Sequence, residues 1–226
     1  FEQLARLHDP GHGGFGRAPK FPRASLFTLL ARLAVRFGAA SQRGLRCRHM
    51  LVHTLAAMAQ GGIHDHLGGG FHRYSVDTWW HVPHFEKMLY DQAQLAVSYL
   101  EAWQLTGDPL FRRTCEGIFD YVRRDLTAPE GGFFSAEDAD SLPSADAPEK
   151  LEGAFYTWTL DEVERRLPAD AARFFAWSHW VLPEGNARPQ SDPLGEFAGR
   201  NTLFVAHDVR EAAEHFGKSA EEIRSL

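Results

Sequence analysis

Between Gly61 and Asp91 the chain reads GGIHDHLGGGFHRYSVDTWWHVPHFEKMLYD. Five of its 12 histidines fall there (His64, His66, His72, His81 and His84), with Asp65, Arg73, Asp77, Glu86, Asp91 and the adjacent Trp79 and Trp80. Imidazoles and carboxylates give and take protons, tryptophans offer flat apolar faces, and glycines let backbone approach a bound molecule. Solvated loops seldom carry two tryptophans, so the mixture reads as the wall of a pocket for a polar small molecule. If Pro83 opens a helix, His84 lies in its first turn, where unsatisfied N–H groups disfavour the imidazolium. His84 and Asp91 then share one helix face, and Glu86 another with Tyr90. The plainer alternative is that Asp91 only satisfies a buried backbone group or Arg73.

A second acidic group, Glu137, Asp138 and Asp140, follows the glycine–aromatic turn at 131–134. Downstream, EGAFYTW (152–158) offers Glu152, Tyr156 and Trp158. Paired carboxylates on loops meeting at one end of a helical ring suit glycoside chemistry, and aromatic faces stack on sugars. Solvated carboxylates and core-packed aromatics are the bland counterparts. The spacings His64-x-His66 and His81-x-x-His84-x-Glu86 are ligand-like, but HExxH is absent, and hydrogen-bonding pocket histidines are the preferred reading. No metal and no cofactor are expected. Gly11, Gly13 and Gly16 spell GxGxxG, yet no strand pattern precedes them and Pro19 and Pro22 follow, so turn geometry accounts for them better than a dinucleotide. Cys47 and Cys115, in helical patterns and without a CxxC motif, read as buried free thiols.

The elements that must position these groups are mostly helical. Leu26, Leu29, Leu30, Leu33 and Phe37 keep helical spacing up to Gly38, and Cys47, Leu51, Leu55, Met58 and Ala59 repeat it up to Gly61. A long helix is expected from Pro83, its apolar face running from Phe85 to Trp103, up to Gly107, and the next from Asp108-Pro109 to Leu126. Thr159 with Glu162 forms a capping-box signal. Further helices are expected at 171–180, 209–216 and 219–226. Phe71 to Ser75, Gly132 to Ser135 and Phe155 to Trp158 read as short strands, and 139–151 and 183–193 as exposed insertions. Gly-Gly-Phe recurs at 13–15, 69–71 and 131–133, with two helices between successive copies. That pattern describes helical hairpins joined by glycine–aromatic loops, stacking with the loops gathered at one end.

The balance of 24 Lys and Arg against 30 Asp and Glu, net charge -6, argues against nucleic acid as the main partner. No apolar run approaches the roughly 20 residues of a membrane span, and no signal peptide is evident at the start. A reducing cytoplasm is the expected location.

The blocks GGFGRAPKFPR (13–23), 61–95, GGFFSAEDADS (131–141), EGAFYTW (152–158) and DPLGEFAGRNTL (192–203) resemble the YyaL-like, spermatogenesis-associated thioredoxin-domain proteins, in order and almost end to end. The resemblance implies a thioredoxin-like domain followed by an (α/α)6 barrel related to six-hairpin glycosidases and N-acylglucosamine 2-epimerases. On that footing residues 1–226 form the first part of the barrel, with the thioredoxin-like domain missing upstream and later hairpins missing downstream. The fold class expected is therefore mainly α, a partial (α/α)6 barrel with short β-hairpins in its loops.

Two functions follow. The first is a carbohydrate-active barrel acting on a sugar-like small molecule. An epimerase uses His84 as a base with His64 or His66 beside it and Arg73 on the developing oxyanion. A hydrolase uses Asp91 with Asp138 or Asp140. His66, Arg73, Trp79, Trp80, Glu86, Asp140, Tyr156 and Trp158 then contact the ligand. The second is a non-catalytic scaffold that presents ligands or clients to the thioredoxin-like domain in cis. A thiol oxidoreductase built on Cys47 and Cys115 is disfavoured, because neither thiol has an activating setting.

Overall fold

A computed structural model describes residues 1–224. After a short α1 (Glu2–Leu7), the helices α2 (Ala24–Phe37) and α3 (Gln42–Gln60) form a hairpin. Ser41 caps α3 by accepting the Gly44 N–H at 2.9 Å. A Cβ on Gly44 would lie 2.2 Å from the Gly38 carbonyl oxygen, so this tight turn admits only glycine there. The second hairpin joins α4 (Leu89–Thr106) to α5 (Pro109–Asp125). Gly107, left-handed at φ 72°, ends α4, and the Asp108 side chain caps α5 with Pro109 at its first position.

The hairpins stack with α2 on α4 and α3 on α5. Phe27, Leu30, Cys47, Leu51, Leu55, Met58, Leu95, Tyr99, Phe111 and Cys115 form their shared core. Each large side chain so buried contributes about 1.5–3 kcal/mol. A smaller core of Val163, Ala172, Val181 and Leu203 lies under α6 (Leu160–Arg166) and α7 (Ala169–Ser178). The capping box at Thr159 and Glu162 forms as expected. The pair α8 (Val209–Phe216) and α9 (Ala220–Arg224) follows, and the last two residues of the helix expected at 219–226 lie outside the described residues. Two-residue antiparallel ladders tie the connections together: β1 (Tyr74–Ser75) with β2 (Pro83–His84), β3 (Lys87–Met88) with β4 (Ala136–Glu137), β5 (Asp140–Ser141) with β6 (Leu151–Glu152), and β7 (Thr157–Trp158) with β8 (Asn201–Thr202). The architecture is the one the periodicity and the resemblance predict: mainly helical, a partial (α/α) barrel of stacked hairpins with short β-ladders in the connections. Among the described residues no helix is long and apolar enough to cross a membrane.

The Gly-Gly-Phe recurrence is structural. In each copy both glycines have positive φ, and the phenylalanine bridges back to a residue one to four positions past the end of the preceding helix: Phe15 to His8, Phe71 to His64 and Phe133 to Thr127. The same two backbone bonds close each loop, Asp9 with Gly13 and Gly14, Asp65 with Gly69 and Gly70, and Ala128 with Gly131 and Gly132. The first two copies also share a buried ion pair. Lys20 Nζ reaches Asp9 (2.6 Å) and the Gly13 carbonyl (2.8 Å), and Lys87 Nζ reaches Asp65 (2.8 Å) and the Gly69 carbonyl (3.0 Å). An aromatic ring lies against each loop. A Cβ on Gly14 would meet the Trp80 ring at 2.6 Å, and one on Gly70 the Tyr121 ring at 2.5 Å.

Two expectations are corrected. The long helix does not start at Pro83: residues 83–88 are extended, and α4 begins at Leu89. Tyr74 pairs with His84, the Arg73 N–H donates to the Glu86 carbonyl (2.8 Å), and the Leu89 N–H is taken by Ser135. Proline, without an N–H to give, sits in a short ladder as readily as at a helix start. His84 therefore lies at no helix terminus and shares no helix face with Asp91. Of the strands expected at 71–75 and 132–135, only Tyr74–Ser75 forms a ladder, with single bridges at Phe71 and Phe133. The two insertions are mostly exposed, as expected, and both are anchored. The first is pinned at its base by β5 and β6, and the second by Asn186 and Ser191, both buried.

Candidate functional site

The β3–β4 ladder sets Lys87 opposite Glu137, joining the second Gly-Gly-Phe segment to the acidic stretch after the third. Over this ladder opens a cavity of about 550 Å³, walled also by the second loop, residues 154–158 and α6. At its centre the Glu137 carboxylate accepts two short hydrogen bonds, from the Tyr121 hydroxyl to Oε2 and the Tyr156 hydroxyl to Oε1, each 2.6 Å. Burial, and then this carboxylate, push both phenols far above their ordinary range, so they remain donors. The Lys87 ammonium lies between the same two rings, 4.2 Å from the Tyr121 centroid and 4.7 Å from that of Tyr156. Asp65 takes Lys87 on one oxygen and the Leu67 and Gly68 N–H groups on the other. Burial raises the Asp65 carboxyl, but the Lys87 ammonium and the Gly68 N–H outweigh it and bring the group to about 2.

His64 and His72 line the same space. Burial, together with His66 for the first and Lys87 for the second, lowers both to about 3, so both rings are neutral. His64 Nδ1 faces the Ala59 carbonyl (3.1 Å) and His72 Nδ1 the Phe85 carbonyl (2.9 Å). A carbonyl only accepts, so Nδ1 carries the proton and Nε2 is left as an acceptor. His66, lowered by burial, donates to the Gly61 carbonyl and touches the His64 ring. The outer wall is aromatic, with the exposed Phe155 and with Trp158 under the Arg166 guanidinium (5.2 Å). Each cation at the cavity already has a partner: Lys87 has Asp65, Arg124 has Asp125 and the Gly68 carbonyl, and Arg166 has the Glu162 carbonyl and the Trp158 face.

Of the residues expected to carry chemistry, His64, His66, Tyr156 and Trp158 meet at this cavity. The others lie elsewhere. His84 Nδ1 is 2.7 Å from Glu152 Oε1, with the His84 ring stacked on Tyr74. Asp91 holds Arg73 at 2.7 Å, Glu86 stands 3.8 Å from the same guanidinium, and Tyr90 lies beneath it. That cluster is the satisfied arrangement weighed above as the plainer alternative. Asp138 is exposed and bound to Lys150 (3.0 Å), and Asp140 is exposed on β5. Trp79 lies under Arg188, and Trp80 is fully buried in the core with its indole N–H on the His12 carbonyl. Lys87, Tyr121, Glu137 and His72 were not singled out as ligand contacts. One signal bears on Lys87: a His-Asp pair stands seven residues before the phenylalanine in both of the first two loops, and its aspartate is the lysine's partner in each.

No family model matches the chain. Spermatogenesis-associated protein 20 of Homo sapiens is 46% identical over 237 aligned residues covering all of this chain, and that of Mus musculus is 44% identical over the same span. The chain belongs to the spermatogenesis-associated protein 20 family. It spans about 30% of the length of those two relatives. Among solved structures, cellobiose 2-epimerase from Spirochaeta thermophila DSM 6192 aligns with 66% of this chain and 37% of its own, at 18% identity and a TM-score of 0.49. The family's name carries no reaction, so the functional reading rests on the walls of the cavity.

Proposed function

We propose that the cavity binds an uncharged, carbohydrate-like small molecule and that the chain is the ligand-holding part of a carbohydrate-active (α/α) barrel. The observation that carries this reading is the Glu137 centre, with its two phenols, beside the Trp158 and Phe155 faces. A sugar ring presents C–H groups to aromatic faces and hydroxyls to carboxylates and neutral imidazoles. Glu137, Asp65 and the Nε2 atoms of His64 and His72 are acceptors for such hydroxyls. Two of the cavity's three cations, Lys87 and Arg124, are already paired with carboxylates, and Glu137 and Asp65 add negative charge, which disfavours a phosphate or carboxylate ligand.

Epimerase-type or glycosidase-type turnover is the finer reading. A ligand-binding scaffold serving a thioredoxin-like domain is the alternative, and one observation favours it. The acid–base groups at the cavity are already engaged: Glu137 accepts two hydroxyls, and His64 and His72 are too weakly basic to abstract a proton near neutrality.

Calorimetric titration of the chain with neutral monosaccharides and disaccharides tests the site. At least one sugar should bind saturably, with affinity reduced roughly tenfold or more in both Trp158→Ala and Glu137→Gln, a loss of about 1.4 kcal/mol. Absence of saturable binding by every neutral sugar overturns the proposal. Proton NMR of the sugar in deuterated water then separates the readings: loss of the C2 proton signal marks epimerase-type turnover, new anomeric signals from a cleaved disaccharide mark glycosidase-type turnover, and an unchanged spectrum marks a scaffold.

A further inference from the structure

The second Gly-Gly-Phe loop separates two cavities. The Glu137 cavity lies on one side of it. A second cavity, of about 630 Å³, opens on the other, bounded by α5, the end of α7 and the start of α8. His64, Asp65, His66, Leu67 and Gly68 line both spaces, so residues 64–68 form the partition between them. Leu67 in that partition is 57% exposed.

Three imidazoles run across the partition. The His64 and His66 rings are 5.0 Å apart, and those of His66 and His179 are 5.7 Å apart. His64 and His66 belong to both walls, and His179 to the second cavity. Each gives a ring N–H to a main-chain carbonyl: His64 to Ala59 (3.1 Å), His66 to Gly61 (3.0 Å) and His179 to Phe204 (2.9 Å). Burial lowers all three, so each ring is neutral and its other nitrogen accepts. All three are half-buried rather than sealed. A row of acceptors therefore leads from the Glu137 centre into the second cavity, where Phe174 of α7 adds an aromatic face. An anion would set lone pairs against lone pairs along this row, and a polyamine would meet Arg113 and Arg124 in the second cavity. A neutral chain of hydroxyl-bearing rings offers a donor at each step and C–H groups to the aromatic faces.

We infer that the ligand is a linear neutral oligosaccharide lying across the second loop, with one ring at Glu137 and the following part of its chain beside His179. This rests on the sugar reading of the Glu137 cavity and adds that a single ring fills only part of the site. Calorimetric titration of the chain with linear oligomers of glucose, mannose and N-acetylglucosamine, from one ring to six, tests it. In a series that binds, affinity should rise roughly tenfold or more from the shortest member to the longest. His179→Gln and Phe174→Ala should each remove most of that rise. If a variant unfolds, as read from its urea midpoint, the parent series alone decides. Equal affinity across the lengths, or a rise that persists in either folded variant, overturns the inference and leaves the single-ring site standing. Absence of saturable binding at every length overturns the inference and the sugar reading together.

Discussion

Glu137 is held by two hydroxyl groups from opposite sides, and this makes the centre a cooperative unit. Tyr121→Phe and Tyr156→Phe each remove one donor, at a cost of about 1–2 kcal/mol in unfolding free energy. Because both act on one carboxylate, the double variant should depart from the sum of the single ones by 0.5 kcal/mol or more, in the range of about 0.5–3 kcal/mol typical of contacting residues. Additive losses in urea unfolding would show that the two bonds act separately. None of this is visible locally in the sequence. Lys87 and Glu137 become neighbours only through β3 and β4, and a two-residue ladder leaves no periodicity to read. His84 stood out instead because a proline followed by an amphipathic run resembles a helix start.

The loops and helices were easier to read. The ends of α2, α3 and α5, the Thr159 capping box and the stacked hairpins all follow from apolar spacing, glycine and caps. The Gly-Gly-Phe loops were legible as a repeat, but not the demand each makes on its neighbour. Gly70 has φ +76°, and a Cβ there would strike the Tyr121 ring at 2.5 Å. Gly70→Ala should cost about 1–3 kcal/mol from backbone strain alone. It should also move the Tyr121 hydroxyl off Glu137 and weaken sugar binding. Gly107→Ala, also left-handed but with open space around its Cβ, should lower stability and spare binding. A Gly70→Ala chain that binds as tightly as the parent would disconnect the loop from the cavity.

Across the whole molecule, several histidines are kept neutral. Burial, together with neighbouring histidines or Lys87, lowers His8 and His179 to about 4 and His64 and His72 to about 3, against an ordinary 6.5. Below pH 6.5 the unfolded chain takes up these protons and the folded chain does not. Stability is therefore full above pH 6.5 and declines as pH falls from there toward 3. Asp9 and Asp65, both near 2, add a further loss below their ordinary 3.8. The urea midpoint should drop steadily between pH 7 and pH 5, and a flat midpoint over that interval would contradict the buried, neutral assignment. The acidic net charge was legible from composition, but this proton balance was not, because it depends on which imidazoles the stacked hairpins enclose.

One lysine-clasped template occurs twice in this chain, and the two editions carry different aromatics. Where Trp80 rests on the first loop, its indole spends its only polar atom on a backbone carbonyl, and the clasp is finished as architecture. Where Tyr121 takes the same seat on the second, a phenol carries a hydroxyl past the lysine to a carboxylate. The proposed ligand site is thus built on the same kind of joint that carries an indole in the first edition, and an indole transplanted into the second should leave Glu137 with one hydroxyl donor in place of two.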